Sequence, residues 1–289
     1  MNSQLSNFFQ EVSLNLLDRK IRYDDRPFEG STEIRLGFDR CFVDSGTDSP
    51  SGIEALALLK GLYEERLKEG IERFIAGLES DIEFPLPLSV ISIQSSNYKD
   101  IQDLLYTLFE SVFSYPMNGI LNVFLPINDM ESLEESVLAL HDSIAEELYL
   151  KASMGTGILC TSREELRRSY QTSRIAMKLC DVLKKDVIFY HRQWLDRLVL
   201  YMPVDDKKEF IRENIKGIDI LKDEETLKTI NAFLSCNLSL SEASRLLYIH
   251  RNTLSYRLDK IQYETGLDIR NFEDAIKMKL CLTMLRSML

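Results

Sequence analysis

Residues 238–266 read LSLSEASRLLYIHRNTLSYRLDKIQYETG. Two short helical periodicities are joined there by a tight connection. Leu240, Ala243, Leu246 and Leu247 recur at helical spacing, and Leu254, Leu258 and Ile261 repeat at i, i+4 and i+7 along the second segment. Each helix is therefore expected to commit one face to a core. At about 100° per residue, Asn252, Tyr256, Lys260 and Tyr263 point away from that stripe, with Thr253 beside them and Arg251 and Arg257 on its flanks. The pattern predicts a helix-turn-helix whose second helix begins with polar and basic residues, where recognition helices present side chains to base edges. Asn252 and Thr253 are also candidate caps for its first turn.

Amphipathic helical hairpins also serve as protein-contact scaffolds, so periodicity alone leaves a non-DNA-binding interaction module open. The residues add a more specific signal. The run HRNTLSYRLDKIQYETGLDI, residues 250–269, resembles the C-terminal helix-turn-helix of the PucR/CdaR family of bacterial transcription regulators. That family carries an R-N-T-L-x-Y-R-L core followed by a T-G-x-D/N-hydrophobic stretch. Arg251, Asn252, Thr253, Leu254, Tyr256, Arg257, Leu258, Thr265 and Gly266 match it. The resemblance implies double-stranded DNA as a partner. Arg251, Asn252, Thr253, Tyr256, Arg257 and Lys260 are the expected DNA-binding residues, with Arg251 and Asn252 on base edges and the other four on phosphates.

Formal charge argues against nucleic acid until it is located. The 289 residues carry a net charge of −11. Residues 223–289 hold nine Lys/Arg and nine Asp/Glu, so the whole excess of acid lies in residues 1–222. DNA must then be met by a local basic face, and the small positive excess of one copy favours engagement of two half-sites by a dimer. The N-terminal region or the final helix is the expected interface. After Asn271 that helix is apolar nearly all round, from Phe272 and Ile276 through Met278, Leu280, Cys281, Leu282, Met284, Leu285 and Met288.

The fold class expected is α+β and multidomain. Residues 1–82 form a mostly helical N-terminal region, opened by an amphipathic segment with Leu5, Phe8, Phe9, Val12 and Leu16 on one face. A strand is expected over Glu33–Phe38 and a long helix from Ser51. Residues 83–201 alternate strands and helices: LSVISIQ, then the helical run YKDIQDLLYTLFESVF, GILNVFLPI, ESLEESVLALHDSIAEELYL, KASMGTGILC, REELRRSYQTSRIAMKLCDVLK and DVIFYH. Residues 202–222 are a charged connector and 223–289 an all-α DNA-binding domain. The segment from Ser153 to Cys180 resembles, more loosely, the end of the GGDEF-like domain that precedes the helix-turn-helix in CdaR-type regulators. That resemblance implies a cyclase-palm-like sandwich around an antiparallel sheet.

Catalysis is not expected. A diguanylate cyclase needs a Gly-Gly-Asp/Glu-Glu-Phe hairpin for close approach to guanine and for magnesium, and that run does not occur. Gly155 and Gly157 form a lone GxG, read as easing a strand end, and no Walker A motif exists. His141, His191 and His250 are dispersed, so no metal site is expected. The five scattered cysteines lack a CxxC and are read as buried thiols. The pairs Glu134–Glu135 and Glu146–Glu147 read as solvated helix faces, and Trp194 as a core anchor. No cofactor is implied; a small-molecule effector is, without identity. No apolar run spans a membrane and no signal peptide opens the chain, so a cytoplasmic location is expected. A nucleotide-binding enzyme is the least favoured alternative.

Overall fold

The computed structural model of the chain describes Phe8 and residues 22–24, 32–44, 50–80 and 82–288. The opening amphipathic segment lies outside those residues apart from Phe8. The chain divides into two compact units, Met1–Cys180 with Lys185–Arg192, and Asp181–Lys184 with Gln193–Leu289.

The first unit is built on a five-stranded sheet. Its strands are β4 (Leu88–Ser95), β5 (Phe113–Met117), β6 (Ile120–Pro126), β7 (Ala152–Cys160) and β8 (Val187–Phe189). They lie in the order β5-β6-β4-β7-β8, antiparallel throughout except for the β7–β8 pair. Helix α2 (Tyr98–Leu108) connects β4 to β5 and helix α3 (Met130–Glu147) connects β6 to β7. The first four strands thus form a β-α-β-β-α-β unit in which each crossover skips one strand, the split β-α-β arrangement.

Strand alternation sends Ile91, Ile93, Leu121, Val123, Leu125 and Met154 to one face, against Ile101, Leu104 and Leu105 of α2 and Leu133, Val137, Leu140 and Ile144 of α3. The opposite face presents Leu88, Val90, Phe113, Tyr115, Phe124 and Cys160. It is covered by Leu59, Tyr63, Leu67 and Ile71 of α1 (Pro50–Ala76) and by Leu166 of α4 (Arg163–Leu183). Leu36, Phe38, Cys41 and Val43 join this core from a small antiparallel sheet of β1 (Arg22–Asp24), β2 (Thr32–Leu36) and β3 (Asp39–Asp44).

Several expectations need correction here. The long helix is present as expected, and the described residues before it also contribute a three-stranded sheet that the expectation lacked. A boundary at residue 82 falls inside the first unit, because α1 and the small sheet complete the core of the large one. The run from Tyr98 to Phe113 is not one helix: it stops at Leu108, and Phe113–Met117 is an edge strand. Its hairpin is closed by Asn118 and Gly119, both at positive φ (52° and 70°), as a two-residue turn of the kind that matches strand twist requires. Pro116 is tolerated because β5 lies at the sheet edge.

Gly155 and Gly157 sit inside β7 rather than at its end. A Cβ on Gly155 would overlap the backbone of Ser173 and Met177, and one on Gly157 the backbone of Ser169. Their function is close approach of α4 to the sheet. The approach is held by Ser169 Oγ, which accepts from Val90 N–H (3.0 Å), and by the Ser92–Ser173 hydroxyl pair (2.9 Å). Glu134 is not simply solvated: His191 Nε2 lies 2.8 Å from its carboxylate and Arg192 pairs with it as well.

The second unit is all-helical: α5 (Trp194–Tyr201), α6 (Val204–Asn214), a 3₁₀ turn over Ile218–Lys222, α7 (Glu224–Ser235), α8 (Leu240–Leu246), α9 (Arg251–Thr265) and α10 (Phe272–Ser287). Ile211, Ile215 and Leu221 are buried in its core with Phe233, Leu254 and Met278, so residues 202–222 are integral to this unit rather than a free connector. Trp194 is 63 % exposed and is not a core anchor; with Leu198 and Tyr201, at i+4 and i+7, it forms an exposed apolar stripe. Cys41, Cys160, Cys180 and Cys281 are buried thiols outside any disulfide, and Cys236 is partly buried. Burial pushes the Cys160 thiol up to about 11 and that of Cys281 to about 12. Among the described residues no helix is long and apolar enough to cross a membrane, and no His/Cys/Asp/Glu group is arranged to hold a metal.

Candidate nucleic-acid interface

Helices α8 and α9 form the helix-turn-helix. Ser239 caps α8 by accepting from Glu242 N–H at 3.4 Å, and the S-x-x-E sequence is that of a capping box. The connection passes through Tyr248 at φ 54°, with Ile249 N–H donating to Ser244 O at 3.0 Å. Helix α9 then starts at His250. Its Nδ1 accepts from Asn252 N–H at 3.2 Å, so the cap is His250, and Asn252 and Thr253 keep their side chains for the surface.

Leu254, Leu258 and Ile261 are buried to within 2 % of full burial, which fixes the rotation of α9. Leu246 departs from its expected core position and is 55 % exposed, while Ala243 anchors α8. At the far end Gly266 adopts the left-handed conformation (φ 80°) and its N–H donates to Gln262 O at 2.8 Å, a C-cap that disfavours any Cβ. Thr265, fully buried, donates its hydroxyl to Ile261 O (2.6 Å) and accepts from Leu267 N–H (3.2 Å). The Thr-Gly-Leu-Asp-Ile run is thus a stop signal: it ends the helix and sends Leu267 and Ile269 into the core.

The rotation exposes Arg251, Asn252, Thr253, Tyr256, Lys260 and Tyr263 together, Tyr256 at 71 %. Among the described residues, neither Arg251 nor Lys260 is in an ion pair. Arg257 does not join them. Its Nη2 lies 2.6 Å from Glu225 Oε1, and Nη1 donates to Thr229 Oγ1 at 3.4 Å, so the guanidinium is turned onto α7. The phosphate-contact role expected for Arg257 is corrected on this ground: its charge is used internally.

Two surface features escaped sequence reasoning. Arg245 and Tyr248, at the end of α8 and in the turn, are exposed beside the start of α9. Arg270 pairs with one acid of the helix, Asp259: Nη1 donates to Asp259 Oδ1 (2.7 Å), Nη2 to Gln262 Oε1 (2.7 Å) and Nε to Asp268 Oδ1 (2.6 Å). Burial opposes ionisation of Asp268, but the Arg270 contacts outweigh it and lower its pKa. The exposed tyrosine at Tyr248 in a left-handed turn position was the available clue; the Arg270 fork depends on a chain reversal that spacing does not reveal.

Set beside known sequences, this unit has a clear counterpart. Residues 226–284 match the PucR C-terminal helix-turn-helix domain. The purine catabolism regulatory protein of Bacillus subtilis (strain 168) is 28 % identical over 138 residues, covering 41 % of this chain and 26 % of that protein. The carbohydrate diacid regulator of Escherichia coli (strain K12) is 27 % identical over 157 residues, covering 53 % of this chain and 41 % of that protein. The proline-responsive transcriptional activator PutR of B. subtilis is 33 % identical over 89 residues, 29 % of this chain and 22 % of the relative. The chain therefore spans less than half the length of these relatives. A solved regulator of polyketide synthase expression from Bifidobacterium adolescentis aligns over 78 % of this chain and 92 % of that one at 16 % identity, with a TM-score of 0.33, too low to support a structural argument.

Proposed function

We propose that the chain is a sequence-specific, double-stranded DNA-binding transcription regulator that acts as a homodimer, responds to a small-molecule effector and works in the cytoplasm. The observation that carries the reading is electrostatic selection on α9. Arg270 holds Asp259 and Glu225 holds Arg257, while, among the described residues, Arg251 and Lys260 project without an ion pair beside Asn252, Thr253 and Tyr256. A face with donors for base edges at its start and a cation farther along fits a helix entering the major groove N-terminus first. The regulatory names of the relatives agree with this reading.

The first unit is read as a degenerate GGDEF-like domain without catalysis. Its antiparallel split β-α-β sheet supports the palm comparison, and its hairpin turn, Asn118-Gly119, carries neither a second glycine nor a carboxylate. Incubation with GTP and magnesium should yield no cyclic dinucleotide. Pulling genomic fragments from solution with the purified chain, followed by gel shifts on the recovered DNA, tests the central claim. Recovery of no sequence above background would move the reading to a helical interaction scaffold.

A further inference from the structure

Where α1 ends at Ala76 and the chain turns back through Leu78, Glu79 and Ser80, an open cleft of about 720 Å³ is lined by Arg73, Arg163 and Arg167. We propose that this cleft binds a small dianion presenting two or more acidic oxygens, a phosphate ester or a dicarboxylate, and that it is the effector site of the regulator. The second half of that statement rests on the proposed function; the first does not.

The three arginines come from two helices. Each spends a single N–H on a backbone carbonyl of the last turn of α1 or of the returning loop: Arg73 Nε on Glu79 O (3.3 Å), Arg167 Nη2 on Phe74 O (3.2 Å) and Arg163 Nη2 on Ser80 O. Those bonds fix the guanidinium heads and leave most of their five donors unused. Capping of α1 does not account for them. A helix C-terminus carries about half a negative charge, which one cation answers, and here three converge.

The described carboxylates nearby do not neutralise them. Among the described lining residues Glu79 is the one acid, against Arg73, Arg163 and Arg167. Glu165 is committed to the Thr161 N–H (2.9 Å) and hydroxyl (3.1 Å). The Glu164 carboxylate is held low by its own backbone N–H and the Ser162 hydroxyl. Among the described residues none of the three arginines is in an ion pair.

Planar forks in this number match paired acidic oxygens better than a monovalent ion. Phe74, whose ring lies 5.1 Å from the Arg163 guanidinium carbon, and Leu78, 57 % exposed, supply an apolar edge for the carbon part of a metabolite. The volume lies in the range of roughly 300–1,000 Å³ usual for small-molecule sites.

Calorimetric titration of the full chain with inorganic phosphate, and separately with succinate, at constant ionic strength tests the site. Saturable binding of one anion per chain is expected, and the anion preferred identifies the ligand as phosphate ester or dicarboxylate. Arg73→Gln removes an exposed side chain with one long loop contact. It should stay folded by circular dichroism and bind about tenfold more weakly, one lost charge-assisted contact, with Arg73→Lys intermediate. Arg163→Gln provides the second variant. Absence of saturable binding by either anion, or unchanged binding in both folded glutamine variants, overturns the site. The titration needs no DNA. A failed gel shift with intact anion binding therefore removes the effector role and leaves the site standing.

Discussion

Arg251 and Arg257 occupy one helix and face opposite electrostatic fates, and that difference makes the interface testable residue by residue. Asn252, free because His250 takes the capping role, can reach a base edge. Asn252→Ala should lose discrimination at one base position, on the order of 1–3 kcal/mol, with little change on non-cognate DNA. Lys260→Ala should weaken all sequences alike and reduce the slope of log affinity against log salt by about one unit. Binding isotherms at several salt concentrations separate the two, and parental behaviour from both folded variants would remove this face from DNA recognition. For Arg257→Ala the expected loss is in stability, because the side chain is three-quarters covered and paired with Glu225. A double-mutant cycle with Glu225→Ala, read by urea unfolding, should give a coupling within the roughly 0.2–1 kcal/mol of partly exposed pairs. A coupling of zero, with a salt slope reduced as for Lys260→Ala, would return Arg257 to the phosphate-contacting set.

At the scale of elements, the sequence was most legible where a helix stripe and its end signals lie close together in the chain. Leu254, Leu258 and Ile261 set the rotation of α9, and Thr265-Gly266 set its end. Legibility failed where the deciding partner comes from elsewhere. The apolar run through Phe113 continues a helical pattern, and only pairing of Phe113–Met117 with β6 makes it a strand, although Asn118-Gly119 advertised the hairpin. Gly155 and Gly157 gave no hint of α4 pressing on β7, and Glu225 gave none of its hold on Arg257. The caps are local and carry a pH signature. Asp223 caps α7 through the Thr226 N–H and hydroxyl, both at 2.8 Å, and chiefly the backbone bond lowers its pKa. A carboxylate depressed in the folded state stabilises above its unfolded value, about 3.9, and loses that contribution as pH falls through the folded value. Asp223→Ala should therefore melt below the parent at neutral pH, and the gap should narrow as pH drops beneath 3.9. A gap that stays constant into that acid range would show that the cap acts without its charge.

On the whole-molecule scale, charge and exposed apolar surface point the same way. Residues 193–289 contain fifteen Lys/Arg and fifteen Asp/Glu, so the net −11 belongs to residues 1–192, which DNA repels. A neutral unit with one modest basic face binds a single half-site weakly; two copies joined on adjacent half-sites gain effective concentration without any new contact. The second unit also leaves apolar side chains uncovered. The final helix is not buried all round as its composition suggested: Cys281, Leu282, Thr283 and Met284 are buried, but Phe272 is 71 % and Ile276 37 % exposed, and Trp194, Leu198 and Tyr201 line α5. Such stripes fit self-association better than solvation. We expect a dimer by light scattering at micromolar concentration, with the chain's single tryptophan, Trp194, blue-shifting in emission as concentration rises through the dissociation constant. Leu198→Lys, on an exposed position, should leave the fold intact, shift the chain toward monomer and weaken binding to paired half-sites far more than to one. A parent that stays monomeric while binding operator DNA tightly would sink the dimer; a variant that stays dimeric would move the interface from α5 to another surface such as Phe272 and Ile276.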